Sequence, residues 1–440
     1  MRPWPRNLVV HNSELSCAPS ALHGAEAIRV VPTDSASAAE VARAEAHVRI
    51  FHSPDWQSVR AVAAARAASL HQPSRDVLVH YSLESPLMMP ADLDPAYMGH
   101  FELRVGYHRA LSTIAQPYVA TSTESWTRRL LHPNHRVEWR AKVRHRLLVT
   151  AVSNCVSFSG RRHYLAALRD ALGDEFINLG SCVPSGGRSG AASGGSRAVN
   201  SVAPNKYAPG HAPASVADFD RSQYDRKSDP SGSKTDALIA GSYFYLALEN
   251  ANCADYITEK LGRAVVAGVV PVVFDPRADY AQPAANDAPP RVPGYASVLP
   301  PGSYINVADF ASAADLGAYL RRVAANQSAY TAYLWPRRVS PRVLRARWPA
   351  LANLPNASAT AEKPECRLAR AALGVRREAA ARRLTTPRLV PDSSCLPPRQ
   401  LCRHLGRAED VGGCRPGGDR DRVRPAVVAA PTRGGRYTND

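Results

Sequence analysis

Apolar and polar positions along this chain alternate with two different periods, and together they predict an α/β protein. "AHVRIFH" (46–52) alternates residue by residue, as a half-buried strand does, and "RDVLVHYSLE" (75–84) is a second such run that leads into Ser-Pro. Between them "WQSVRAVAAARAASL" (56–70) is Ala-rich with helical spacing, so the three read as a βαβ unit. Farther on, "HRLLVTAVSN" (145–154) predicts a strand and "DEFINLGSC" (174–182) another. "RRHYLAALRDAL" (161–172) predicts the helix between them, with Tyr164, Leu165, Leu168 and Leu172 on one face. "YFYLAL" and "VVPVVF" are buried-strand runs flanking a helix expected over 256–267, capped by Asp255 and stopped by Gly268. A short strand and a helix starting near Ser312 follow within 303–335.

The pattern divides the chain. Residues 1–44 read as an irregular N-terminal segment, 45–144 as one α/β domain and 145–335 as a second. Residues 183–234, rich in Ser, Gly, Pro and Asp without a period, read as a disordered insertion. Residues 336–440 read as a basic low-complexity tail. The net charge of +17 first suggests nucleic acid. Its location argues otherwise: the tail holds 22 Lys/Arg against 9 Asp/Glu and so carries 13 of the 17 charges. The rest is nearly neutral, and no nucleic-acid partner is expected. No CxxC pair occurs among the eight cysteines, so a structural zinc site is not expected. Asn326 and Asn356 begin Asn-x-Ser sequons and are candidate glycosylation sites. Neither a signal peptide nor a run of about 18 apolar residues is visible, so the residues themselves show no signal and no membrane span.

The candidate chemistry sits between the strand runs of the second domain. "LENANCADYITEKL" places Glu249-Asn250 and then Tyr256, Thr258, Glu259 and Lys260 at the mouth of the expected helix, where a parallel sheet binds its ligands. Free N–H groups and the helix dipole attract anions there, and Lys260 adds a charge suited to phosphate. Glu259 can accept hydrogen bonds from sugar hydroxyls. Charge in a first helical turn is more often a solvated ion pair. The residues alone therefore mark a candidate anion or nucleotide-sugar site, with a plain ion pair as the other reading.

"FYLALENANCADYITEKLGRAVVAGVVPVV" resembles the signature of the α1,3-fucosyltransferases, the glycosyltransferases that use GDP-fucose. Phe-Tyr, Glu-Asn, Asp-Tyr-x-Thr-Glu-Lys and Ala-Gly-x-Val-Pro-Val-Val all stand in order. "VSNCVSFSGRRHYLAAL" is similar to the family's Ser-Asn-Cys…Gly-Arg segment, and "LESP" (83–86) to its Glu-Ser-Pro motif. "FELRVGYHRALSTIAQPYV" (101–119) is similar, loosely, to the next block: Tyr107, Arg109 and Pro117-Tyr118 remain, while the acidic residues are gone. The resemblance covers roughly 45–335.

The resemblance implies a GT-B-like fold, two Rossmann-like domains facing across a cleft. It implies inverting transfer of fucose from GDP-fucose to a GlcNAc hydroxyl of a glycan. Glu84 would be the general base. Arg161, with Arg162 as runner-up, would meet the diphosphate together with Lys260. Tyr256 and Glu259 would hold the donor, Glu249 and Asn250 would close its nucleotide side, and Tyr107 and Arg109 would shape the site. On this reading Glu259 and Lys260 face sugar and phosphate rather than each other. No catalytic metal is implied, a divalent ion being at most stimulatory, and the Asp-x-Asp matches at 92–94 and 218–220 are read as chance. A Cys155–Cys182 disulfide, a Golgi lumen setting and membrane association are implied as well. A GDP-sugar-binding module without catalysis is the alternative.

Overall fold

The computed structural model describes residues 7–11, 29–32, 46–52, 76–119, 123–154 except 134 and 136, 157–180, 182, 233–275, 294–354, 364–382 and 395. Within them the chain builds two α/β sheets. The first contains β1 (Asn7–His11), β2 (Arg29–Pro32), β3 (Ala46–His52), β4 (Asp76–Ser82), β5 (Leu103–Gly106) and β6 (Ile114–Ala115), in the order β2-β1-β3-β4-β5-β6. Strands β3 to β6 are parallel, whereas β1 pairs antiparallel with both β2 and β3. The second contains β7 (Leu148–Thr150), β8 (Phe176–Asn178), β9 (Phe244–Leu246), β10 (Val270–Val273) and β11 (Ile305–Asn306). It is parallel throughout, in the order β11-β10-β9-β7-β8.

Helices α1 (Pro95–Met98) and α2 (Thr123–Leu131) precede β7, and α3 (Arg161–Leu172) joins β7 to β8. They are followed by α4 (Ser233–Ala240), α5 (Glu259–Ala267), α6 (Ala313–Ala325) and α7 (Gln327–Tyr333). The last two are α8 (Pro341–Arg347) and α9 (Pro364–Arg382). A parallel sheet must bury both faces, so its strands read as continuous apolar runs. The second sheet does so. On one face Tyr164, Leu165, Leu168 and Leu172 of α3 pack with Leu316 and Leu320 of α6. On the other, Leu261, Ala264 and Val265 of α5 pack with Trp126, Leu344 and Trp348. This is the two-sheet α/β architecture that the GT-B-like expectation described.

Three expectations are corrected. Residues 1–44 are not wholly irregular, since they supply β1 and β2. Strands of five and four residues carry little periodic signal. The span 336–440 is not wholly a low-complexity tail either. Its helix α9 lays Cys366, Leu368, Ala369, Ala372 and Leu373 against Val48, Val77, Val79 and Val105 of the first sheet. Burying Leu368 and Leu373 alone contributes about 3–6 kcal/mol before chain entropy, enough to make α9 part of the fold. Its stripe is hard to read because two of these five residues are alanines and arginines stand among them. Lastly, α5 starts at Glu259 rather than 256, with Thr258 as N-cap. Gly268 ends it as expected: its φ is 71°, and a Cβ there would lie 2.4 Å from the His135 carbonyl oxygen.

The helix expected over 56–70 and residues 183–232 of the expected insertion lie outside the described residues. Among the described residues no helix is long and apolar enough to cross a membrane.

Candidate functional site

From β7 the chain crosses through α3 to β8 on one side, and β9 then returns on the other side of β7. A crevice opens outside the carboxyl ends of strands where the order reverses in this way. Asn154 follows β7, Arg161 begins α3, and Glu249-Asn250 follow β9, so all four residues border that point.

Arg161 ties the two loops together. Its Nη1 donates to the Leu248 carbonyl at 3.1 Å and its Nη2 to the Asn154 carbonyl at 2.9 Å. Its backbone N–H meets the Ser157 and Ser159 hydroxyl oxygens, both at 3.3 Å. Burial pushes its pKa below the ordinary value, while Glu249, Tyr256 and Glu259 oppose that shift. An arginine keeps its charge even so. Its buried Nε has no hydrogen-bond partner among the described residues. Arg162, the runner-up, is half-buried on the first turn of α3.

Glu249 is only 3% exposed, and its carboxylate closes the start of α5. Oε1 accepts the Thr258 backbone N–H at 2.7 Å, and the Thr258 hydroxyl reaches Oε2 at 2.7 Å. Lys260 Nζ lies 3.2 Å from Glu249 Oε2, 3.3 Å from Glu259 Oε1 and 2.8 Å from Thr258 Oγ1. The expectation that lysine and glutamate stand apart is therefore corrected: Lys260 bridges both carboxylates. The physical reason is Glu249, because a buried carboxylate requires a cation and Lys260 is paired with it at 3.2 Å. Desolvation pushes Glu259 up, but Lys260, its own backbone N–H and Thr258 outweigh it and hold Glu259 below the usual carboxylate range. Its side chain is 60% exposed, which leaves it open to a ligand. Asn250 accepts the Phe158 and Ser159 N–H groups on its backbone oxygen, and its buried side-chain oxygen has no partner among the described residues.

The two sheets meet at Glu84 and Tyr256. Glu84 lies two residues past the carboxyl end of β4, and its Oε2 accepts the Tyr256 hydroxyl at 2.9 Å. Tyr107 stands edge-on to Tyr256 with ring centroids 4.9 Å apart, and Tyr118 does so at 6.3 Å. The Tyr118 hydroxyl donates to the Leu83 carbonyl at 2.7 Å. Burial, then Glu84, Tyr118 and Glu249, push the Tyr256 phenol well above its ordinary pKa. Burial, then Glu84, Glu259 and Glu249, do the same to Tyr118. Both phenols therefore stay protonated as donors among three carboxylates. Arg109 takes part through its backbone N–H, which donates to Asp255 Oδ2 at 3.0 Å. Asp255 is thus not the cap of α5. The cap is set by Glu249, nine residues away along the chain, which local sequence pattern does not reveal.

The structure brings Glu84, Tyr107, Arg161, Glu249, Asn250, Tyr256, Glu259 and Lys260 around the facing carboxyl ends of both sheets. Of the Asp-x-Asp acids, Asp92 bonds the buried His80 at 2.9 Å and Asp94 caps α1, while 218–220 lie outside the described residues. Asn326 is exposed and caps α7 through its Oδ1, whereas Asn356 lies outside the described residues. Cys182 is disulfide-bonded, and Cys155, its expected partner, is likewise outside them. One bond was missed by the sequence reading. Cys253, in the loop before Tyr256, is bonded to Cys395 of the tail, 142 residues away. The even cysteine count was the available signal, and spacing offered no pairing.

Comparison with known proteins points one way. Residues 214–353 match the family model described as glycosyltransferase family 10 (fucosyltransferase), C-terminal part. The chain is 42% identical over 96 residues to α-(1,3)-fucosyltransferase 7 of Bos taurus, covering 22% of this chain and 23% of that protein. It is 39% identical over 93 residues to α-(1,3)-fucosyltransferase C of Drosophila melanogaster, covering 21% and 18%. It is 41% identical over 102 residues to the human α-(1,3)-fucosyltransferase 4, covering 23% and 16%. The matched part thus spans less than a quarter of each of these three relatives. A solved α1,3-fucosyltransferase with GDP covers 63% of this chain and 75% of its own, at 12% identity and a TM-score of 0.35.

Proposed function

We propose that this chain is an inverting α1,3-fucosyltransferase that moves fucose from GDP-fucose to a GlcNAc hydroxyl of a glycan. The family match of 214–353 supports the donor half of this reading. The observation that carries the rest is the 2.9 Å contact between Glu84 and Tyr256, which sets a carboxylate of one sheet against the donor-side loop of the other.

In this mechanism GDP-fucose lies at the crevice beside α3 and α5. Arg161 and Lys260 face the diphosphate, and the exposed Glu259 accepts from donor hydroxyls. The acceptor hydroxyl enters from the Glu84 side. Its oxygen forms the new bond to the anomeric carbon as its proton passes to the Glu84 carboxylate. The bond from that carbon to the β-phosphate oxygen breaks, and the electron pair leaves with GDP. Cations already in place stabilise that charge without reorganising. To meet phosphate, Lys260 exchanges its contacts with Glu249 and Glu259. Tyr256 orients Glu84 through its hydrogen bond. The disulfide-bonded state of Cys182, Cys253, Cys366 and Cys395 fits an oxidising compartment, in keeping with a Golgi lumen setting.

The decisive experiment incubates the full chain with GDP-fucose and a panel of N-acetyllactosamine and N-glycan core acceptors. Transfer with inverted configuration at the anomeric carbon, read by NMR, supports the proposal. GDP binding without transfer to any acceptor selects the non-catalytic module instead. The lost acidic residues of the 101–119 block are the observation in favour of that second reading.

A further inference from the structure

Asp255 is the sole non-glycine residue with positive φ among the described residues, at 60°. Aspartate tolerates this left-handed conformation better than most residues, yet it still costs about 1 kcal/mol and persists only where the surroundings enforce it. The turn around it is tight: Tyr256 N–H donates to the Cys253 carbonyl at 3.0 Å and Ile257 N–H to the Asp255 carbonyl at 2.9 Å. The result is that the Asp255 carboxylate points out of the donor-side loop, toward the loop after β5.

There Oδ2 accepts the Arg109 backbone N–H at 3.0 Å. It also stands 3.6 Å from His108 Nδ1, too far for a hydrogen bond. That nitrogen already accepts the N–H groups of Ala110 at 3.2 Å and Leu111 at 3.3 Å. The Arg109 N–H is thus the group that holds Asp255. Beside this contact, Tyr256, the residue after Asp255, stands edge-on to Tyr107, two residues before Arg109, and donates to Glu84.

We infer that Asp255 is a positioning residue. Its left-handed turn and its bond to the Arg109 N–H latch the donor-side loop of the second sheet onto the first, and so keep Tyr256 on Glu84. The inference rests on the reading of Glu84 as base, and it predicts an effect on turnover rather than on donor binding.

Three substitutions separate the backbone from the carboxylate. Asp255→Asn keeps an acceptor oxygen and tolerates the turn. Asp255→Gly keeps the turn and loses the acceptor, and Asp255→Ala loses both. Hydrogen exchange of the Arg109 amide reads the latch without any activity. Calorimetry with GDP reads the donor side, and transfer from GDP-fucose reads turnover.

The Asn variant should stay within about twofold of the parent in all three readouts. The Gly and Ala variants should exchange the Arg109 amide at least about tenfold faster and lose about tenfold or more in kcat, with GDP affinity within about twofold. A Gly variant that matches the parent in exchange and turnover overturns the inference, as does one whose GDP affinity falls in step with kcat. If the parent chain neither binds GDP nor transfers fucose, the proposed function falls, while the amide exchange still decides whether the latch exists.

Discussion

Replacing Glu249 with glutamine tests whether this carboxylate serves the fold or the ligand. Glutamine keeps the shape and can still accept the Thr258 N–H, but it removes the charge that Lys260 meets at 3.2 Å and turns an NH2 toward two donors. The side chains are 2% exposed for Glu249 and 15% for Lys260, so solvent screens the pair weakly. Breaking a buried pair by removing one partner costs about 3–5 kcal/mol. Lys260 retains Glu259, 3.3 Å away, which recovers part of that. A loss of about 2–3 kcal/mol follows, or roughly 1 M in the urea midpoint. The same change frees Lys260 for phosphate, so GDP should bind as tightly as before or more so once the lower stability is allowed for. Urea unfolding and calorimetry measure the two effects. An unchanged midpoint together with a large drop in GDP affinity would refute the argument and make Glu249 a direct donor ligand.

Glu84→Gln should leave GDP binding intact and lower transfer by about a hundredfold or more, measured by calorimetry and product formation; unimpaired transfer removes Glu84 from the base role. Gly268→Ala should destabilise by more than about 1 kcal/mol, because the turn sits at φ 71° and the added Cβ meets the His135 carbonyl at 2.4 Å; thermal unfolding reads it. Lys142 supplies a pH test. Burial, helped by Arg337 and opposed by Glu138, lowers its pKa to about 7, while its Nζ donates to the Ala240 and Ser242 carbonyls. Between that value and the ordinary lysine range the unfolded chain holds a proton that the folded chain has released. Stability should therefore rise with pH above 7, by up to about 1.4 kcal/mol per unit, and Lys142→Met should flatten the slope in urea titrations.

Sequence pattern carried the elements whose cause is local. The helix from Arg161 to Leu172 falls where its apolar face places it, and Gly268 stops α5 where it was expected to. The causes that act at a distance stayed hidden. The start of α5 is set by Glu249 reaching Thr258, so a reading of neighbours placed the cap three residues too early. Helix α9 buries alanines between arginines, a stripe that becomes visible only against Val77 and Val79. The site divides in the same way. The motif residues could be named from their order, whereas the Lys260 bridge and the role of the Arg109 N–H depend on atoms that the fold brings together.

The position of α9 also says something about time. Val77 and Val79 leave the ribosome early, yet the helix that covers them is made about 300 residues later, which at ordinary elongation rates is a delay of about 15–60 s. Through that interval the apolar residues that α9 packs against wait for it. A growing chain can assemble the second sheet, whose strands and helices all lie before α9, while the first waits. Synthesis of this protein should therefore lean on chaperones early and mature last at the end made first.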